Sequence, residues 1–216
     1  MNRYINIHTH NTGTGAGLEI VSFYRDFDKA GTAAACSLGL HPWYIEAGSW
    51  KAALERLRAL AGEKNVLAIG ECGLDKTTKT PWELQLEVFT AQIALAGQLQ
   101  KPLIIHCVRA FEELLAVFRS DVPAVPVIVH GFNKKAAVAE KLLNAGFYLS
   151  FGKALLTNDT ACETFSHMPA GRFFLETDDA AVDIAAIYKA AAALWKTSEE
   201  TIISHAQNNF QKVFRS

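Results

Sequence analysis

The sequence has no apolar run approaching the ~20 residues that a membrane-spanning helix needs. It begins Met-Asn-Arg-Tyr-Ile-Asn-Ile, with no charged segment followed by an apolar stretch, so no secretory leader is expected. It has no Cys-x-x-Cys pair. Cys36, Cys72, Cys107 and Cys162 are scattered and read as reduced, buried thiols, which fits a cytoplasmic setting. It has almost no net charge, −1 at pH 7, which excludes a protein coated in basic surface but leaves room for a local basic rim. It has no repeat, low-complexity tract or linker, so residues 1–216 are expected to form a single domain. What is present is half hydrophobic (50%) and one fifth charged (20%), the composition of a globular chain with a large core.

The apolar residues fall into short runs, and many of these runs end in a side chain able to bind a metal ion. Val-Leu-Ala-Ile-Gly leads into Glu71, which sits at the seam with an expected glycine-bracketed turn, Glu71-Cys-Gly-Leu-Asp75. Ile104-Ile105 leads to His106, Ile128-Val129 to His130, Phe174-Leu175 to Glu176-Thr177-Asp178, and Asn6-Ile7 to His8-Thr9-His10. A carboxylate where a buried strand runs out is costly unless something positive holds it, so the recurrence points to one site.

Strands are expected at residues 4–8, 18–23, 33–40, 66–70, 102–106, 125–130, 147–151 and 172–177. Helical spacing is expected over 50–61, 81–99, 111–118, 135–144, 160–167, 184–195 and 198–214, where Ser198 and Thr201 resemble the start of a capping box. Residues 11–17 hold three glycines and two threonines and leave no room for a helix. Short apolar strands alternating with helices predict an α/β fold, a compact TIM-like (β/α)8 barrel with shortened first crossovers. Active sites of such barrels lie at the C-terminal ends of the strands, where the ligand-type residues of this chain stand.

His8 and His10 are two apart on a strand and project to one face, which suits two imidazoles on one ion. With His106, His130, Glu71 and Asp178 at other strand ends, the set suits Zn, Mn or Ni-like ions better than Ca. Its carboxylates can bridge two metals. His167 and His205, on helical tracts, read as ordinary surface or packing residues. Lys134, Lys135 and Lys153 follow the sixth and seventh strands on the site's face, either as a basic lip for a nucleic-acid backbone or as solvated helix-start lysines.

At this point the chain resembles the TatD family of metal-dependent hydrolases, among the amidohydrolase-like barrels. The resemblance runs from His8 to Phe214. It is carried by His8-Thr-His10, Gly39-Leu-His41-Pro42, Ala68-Ile-Gly-Glu71-Cys-Gly-Leu-Asp75, Pro102-Leu-Ile-Ile-His106-Cys-Val-Arg109-Ala110, His130-Gly-Phe132, Leu175-Glu-Thr-Asp178 and the closing residues 208–214. The resemblance implies two divalent ions (Zn, Mn, Mg or Ni), with His8 and His10 on one, Glu71 bridging and catalytic, and His106 and His130 on the second. It implies Asp178 as the remaining ligand and the acceptor of the water's proton. It also implies hydrolysis of phosphodiesters, commonly DNA from an end, by a monomer. Arg109 is then the natural phosphate contact, its alternative being a surface ion pair. His41 is either a substrate contact or support behind the ligands, or else a turn histidine beside Trp43. Lys153 joins Arg109 and His41 as a candidate substrate contact. Glu176, two before Asp178, can orient ligands from one layer down.

Three departures stand out. The family usually has Asp where Asn6 stands; Asn6 is expected to hydrogen-bond a ligand histidine without adding charge. Asp179-Ala180 follows Asp178 where a small residue and Pro are usual, and Asn133 replaces a Ser. Two other function classes compete: a hydrolase of a small ester, lactone or amide on the same barrel, and a non-catalytic metal or nucleic-acid binder. Glu71 occupies the place where many such barrels carry a carboxylated lysine, which favours the nuclease. The filled ligand positions speak against the binder.

Overall fold

A computed structural model describes residues 4–119 and 125–214. The leader expectation falls partly on residues 1–3, outside the described residues. Eight parallel strands form one sheet, in the order in which the chain makes them: β1 (Ile5–Thr9), β2 (Leu18–Phe23), β3 (Cys36–Leu38), β4 (Val66–Asp75), β5 (Leu103–Val108), β6 (Val127–Val129), β7 (Tyr148–Phe151) and β8 (Phe173–Leu175). Just past β8 the chain meets the first strand again: Thr9 bridges Asp178, and His10 N donates to Asp178 O at 3.1 Å while Asp178 N donates to His8 O at 3.0 Å. Strands in chain order, brought back to the first and separated by helices, make a nearly closed (β/α)8 barrel.

The helices are α1 (Trp50–Leu60), α2 (Trp82–Leu99), α3 (Phe111–Val117), α4 (Ala136–Asn144), α5 (Ala154–Thr157), α6 (Asp159–Ser166), α7 (Ile184–Trp195) and α8 (Glu199–Phe214). Among the described residues no α-helix lies between β1 and β3, and a 3-10 turn at Phe27–Thr32 fills the second crossover, so the first connections are shortened as expected. The chain divides into two compact units, Met1–Val21 with Ile128–Ser216, and Ser22–Val127.

In the first unit the strands are short and largely buried on both faces, as parallel strands covered by helices must be. Residues 5–9 of β1 are all buried, as is Phe173-Phe174-Leu175 of β8. Tyr188 of α7 ties the helix layer to β1, its hydroxyl donating to Ile5 O at 2.9 Å and accepting from Ile5 N at 3.2 Å. Asn209 of α8 donates to Ala170 O and Phe173 O, both at 2.9 Å, and so holds the chain entering and running through β8. Asp183 caps α7 by accepting from Ala185 N at 2.8 Å, and Ser198 accepts from Thr201 N at 3.2 Å just before α8.

In the second unit β4 is longer than expected. It does not stop at Gly70 but continues to Asp75, pairing Gly73 with His106 and Asp75 with Val108 of β5. The physical reason is Gly73 itself. A Cβ there would lie 2.0 Å from His106 O, so only glycine lets β5 approach closely enough to pair. The glycine bracket around Glu71 is therefore continuous strand rather than a turn. Helix α2 packs Val88, Phe89, Ile93 and Ala96 inward, and between them buries Gln85 and Gln92. Each glutamine imitates a strand partner. Gln92 accepts from Leu40 N at 2.7 Å and donates to Leu40 O at 3.2 Å, and Gln85 accepts from Asp75 N at 2.8 Å and donates to Asp75 O at 3.1 Å. These paired bonds fix the backbone beyond β3 and at the end of β4, where the polar residues gather.

Candidate metal centre

In the first unit the two-residue repeat of β1 puts Asn6, His8 and His10 on one side. His8 is fully buried. His8 Nε2 and His10 Nε2 lie 3.5 and 3.4 Å from the same Asp178 oxygen, Oδ1. Ligand atoms of His8, His10 and Asp178 all fall within 4.8 Å of one another, the spacing of side chains that share an ion. Asp178 has φ 54°, a left-handed conformation uncommon for a non-glycine residue, and the bonds at its amide and carbonyl hold it there. Burial pushes the Asp178 carboxyl up, but hydrogen bonds from His10 and His8 and the charge of His130 outweigh it, leaving the group well below the usual carboxylate range. The His130 ring lies 4.2 Å from that of His8, centroid to centroid, and its Nδ1 is 3.5 Å from Glu176 Oε1. Glu176 is fully buried and also accepts from Gly131 N at 2.6 Å, so it holds the backbone just past His130.

Asn6 does something else. Its amide nitrogen donates to Thr14 Oγ1 at 3.0 Å and Thr177 Oγ1 at 2.7 Å, and its oxygen accepts from Thr177 N at 3.0 Å. The expected bond to a ligand histidine is thus replaced by bonds to the flanking loops, because Thr14 and Thr177 reach the buried amide from both sides. Asn6→Asp should therefore destabilise. It puts a charge at a fully buried position and removes both donated bonds, a cost on the order of 3 kcal/mol. Urea unfolding measures it, and an unchanged midpoint would contradict this placement.

In the second unit Glu71 is the hub. Its Oε1 lies 3.1 Å from His41 Nε2 and 2.9 Å from His106 Nδ1, and ligand atoms of the three residues again fall within 4.8 Å of one another. His41 is thus brought to Glu71, with its Nδ1 accepting from Trp43 N at 3.1 Å. Asp75 completes the group, and the sequence assigned it no role although it stands four residues past Glu71 on the same strand face. Its Oδ2 is 3.0 Å from His106 Nε2 and accepts from Trp43 Nε1 at 2.6 Å, while Oδ1 accepts from Thr77 N and Oγ1 at 2.7 and 2.6 Å. Burial pushes the Asp75 carboxyl up, but bonds from Thr77, Trp43 and His106 outweigh it and bring it down to about 2. An ionised Asp75 fixes the ring of His106 from behind.

Of the candidate substrate contacts, Arg109 stands exposed just past β5 with φ 54°, another left-handed non-glycine residue. Lys153 pairs with Asp179 at 2.9 Å, with both side chains exposed, next in sequence to Asp178. Lys134 and Lys135 are exposed before α4. An open cavity of about 500 Å³ is lined by residues 11–15 and 179–183, the loops that flank His10 and Asp178. The four cysteines are free, and burial pushes the Cys36 thiol up to about 11.

Residues 10–215 match the family described as TatD related DNase. Among curated proteins, the uncharacterized metal-dependent hydrolase YabD of Bacillus subtilis is 36% identical over 126 residues, 56% of this chain and 49% of that protein. The 3'-5' ssDNA/RNA exonuclease TatD of Cronobacter sakazakii is 34% identical over 176 residues, 76% of this chain and 64% of that one. The protein of the same name from Rahnella sp. is 35% identical over 181 residues, 77% and 65%. The chain spans about half to two thirds of the length of these relatives. Among solved structures, the TatD homolog YjjV of Escherichia coli matches with a TM-score of 0.80 at 24% identity, over 99% of this chain and 98% of that one. A hydrolase TatD family protein from Entamoeba histolytica matches with a TM-score of 0.82 at 17% identity, over 99% and 98%. At these identities the structures speak for the fold.

Proposed function

Because this chain belongs to the TatD related DNase family, we propose that it is a single-domain, divalent-metal-dependent hydrolase that cleaves phosphodiester bonds of DNA with an activated water. The observation that carries the reading is the convergence of His8, His10 and Asp178, and of His41, Glu71 and His106, each as a compact set of imidazole and carboxylate donors at strand ends. Such donors fit Zn, Mn or Ni, and with water Mg. The ligands proposed for two ions are His8, His10, Glu71, His106, His130 and Asp178. Every one comes from this chain, so a monomer suffices.

Bound divalent ions supply Lewis acidity and lower the pKa of a water. The rest falls to the protein. Asp178 is ionised at neutral pH and its side chain is 31% exposed, against 4% for Glu71. It is thus the carboxylate placed to take a proton from an incoming water. Glu71, buried between two imidazoles, is built to hold position rather than exchange with solvent. Arg109, held outward just beyond His106, supplies a guanidinium for a substrate phosphate. Free cysteines and the lack, among the described residues, of any helix long and apolar enough to cross a membrane support work in the cytoplasm.

The test is turnover by purified protein, stripped and reloaded with each divalent metal, on single-stranded DNA, duplex DNA, and small esters, lactones and amides. Cleavage of DNA alone supports the reading, and turnover of the small compounds with DNA untouched would replace it. Arg109→Ala should raise KM for DNA by about 10-fold with little change in kcat or metal content, as loss of a binding contact does. A fall in kcat at constant KM would move Arg109 from binding to chemistry.

A further inference from the structure

Three large apolar side chains stand exposed among the described residues, Trp43 (52%), Tyr44 (36%) and Leu156 (40%), and the first two are adjacent. They sit on the 3-10 turn Pro42–Tyr44, directly after His41. The Trp43 ring meets those of His41 and His106 edge-on, with centroids 5.1 and 5.8 Å away. Tyr44 stacks on Tyr24 at 5.0 Å and an interplanar angle of 11°, and the Arg25 guanidinium covers the Tyr44 ring at 3.6 Å. All six of these aromatic and cationic residues belong to the unit that holds Glu71.

This patch is not loosely attached surface. The Trp43 indole donates to Asp75 Oδ2 at 2.6 Å, the oxygen that also meets His106 Nε2 at 3.0 Å. One buried carboxylate thus orients both an exposed indole and a proposed ligand histidine. Leaving an indole in water forgoes a burial gain, while fixing its orientation removes much of the entropy that a stacking partner would otherwise have to overcome. A flat ring, held rigid, half exposed and beside the donors that would face a phosphodiester, matches a planar ring carried one nucleotide from the phosphate. Arg25 adds a positive charge for the neighbouring backbone.

We propose that Trp43, braced by the neighbouring Tyr24–Tyr44–Arg25 stack, forms a stacking platform for an unpaired nucleobase next to the scissile phosphodiester. The proposal rests on the phosphodiesterase reading and names the surface that would meet the bases of a single strand. In a duplex each base face is already occupied by its neighbours, so the platform has nothing to stack on without melting the end.

The experiment uses metal-loaded protein and four labelled probes: an oligothymidylate, an oligouridylate, the thymidylate strand in duplex form, and a strand of equal length made of abasic units. Affinity is read by anisotropy and cleavage from the same mixtures. Wild type should bind the base-bearing single strands about 5- to 150-fold more tightly than the abasic strand, the range expected for one stacked base. Trp43→Ala should erase most of that preference, and Trp43→Phe, which loses the same bond to Asp75 but keeps a ring, should retain most of it. A structural role alone would move all strands together. Unchanged preference in Trp43→Ala, equal loss in Trp43→Ala and Trp43→Phe, or equal affinity for duplex and single strand overturns the platform. Cleavage of base-bearing and abasic strands with equal KM removes the platform and leaves the phosphodiesterase standing. Base-dependent binding with no cleavage does the reverse. The relative affinity for the two sugars decides whether the platform serves DNA or RNA.

Discussion

Asp178→Asn should lower kcat on single-stranded DNA by about 10²–10⁴-fold, the usual cost of losing a general base, with a further loss if an ion leaves. The variant should nonetheless fold. The backbone bonds that join Asp178 to His8 and His10 do not involve its side chain, and asparagine tolerates the left-handed φ of 54° as well as aspartate does. No apolar packing is removed, so the thermal midpoint should move by little. What changes is the charge that faces the imidazoles of His8 and His10, at 3.5 and 3.4 Å, and with it a carboxylate that reaches solvent and can take the proton. Steady-state kinetics together with metal analysis read the result. Turnover near the wild-type rate would end the role assigned to Asp178.

The second large effect is on the fold. Gly73→Ala would place a methyl 2.0 Å from His106 O at a φ of +144°, a conformation that L side chains rarely adopt. Neither neighbour can give, since both are backbone in the β4–β5 ladder. The strands must part, and His106 moves away from Glu71 and Asp75. A loss above ~4 kcal/mol is expected, roughly 10 °C or more in Tm for a chain of this size. Calorimetry on the variant checks it, and a wild-type Tm with full activity would show that the close approach of β5 is not needed.

The fold class was legible because strand and helix periods alternate and because each apolar run ends in a polar side chain. Its boundaries were less so. Gly70 and Gly73 look like turn residues in isolation, and only the pairing of β4 with β5 shows that they are the places where another backbone comes close. The helix α5 escaped notice because one turn, Ala154–Thr157, has too few residues for a period to emerge. In the candidate site, His8, His10 and Asp178 could be grouped from strand parity and strand-end position. Asp75 was passed over since its partners, Trp43, Thr77 and His106, are set by the third dimension. The signal that was available is its even spacing from Glu71. Asn6 shows the opposite error: its place beside His8 invited a histidine partner, whereas Thr14 and Thr177, far apart in sequence, take up its amide. The two glutamines of α2 left a trace, as polar residues seven apart on an otherwise apolar helix face, which is the mark of side chains buried to satisfy backbone.

The most direct measurement is metal binding coupled to turnover. Protein stripped by chelation is titrated with Zn, Mn, Mg or Ni, and bound ions per chain are counted while cleavage of a labelled single strand is followed. The expected result is no cleavage without metal, saturation near two ions per chain, and activity rising with occupancy. Folded protein that takes up no divalent ion, or that cleaves equally well when stripped, would contradict it.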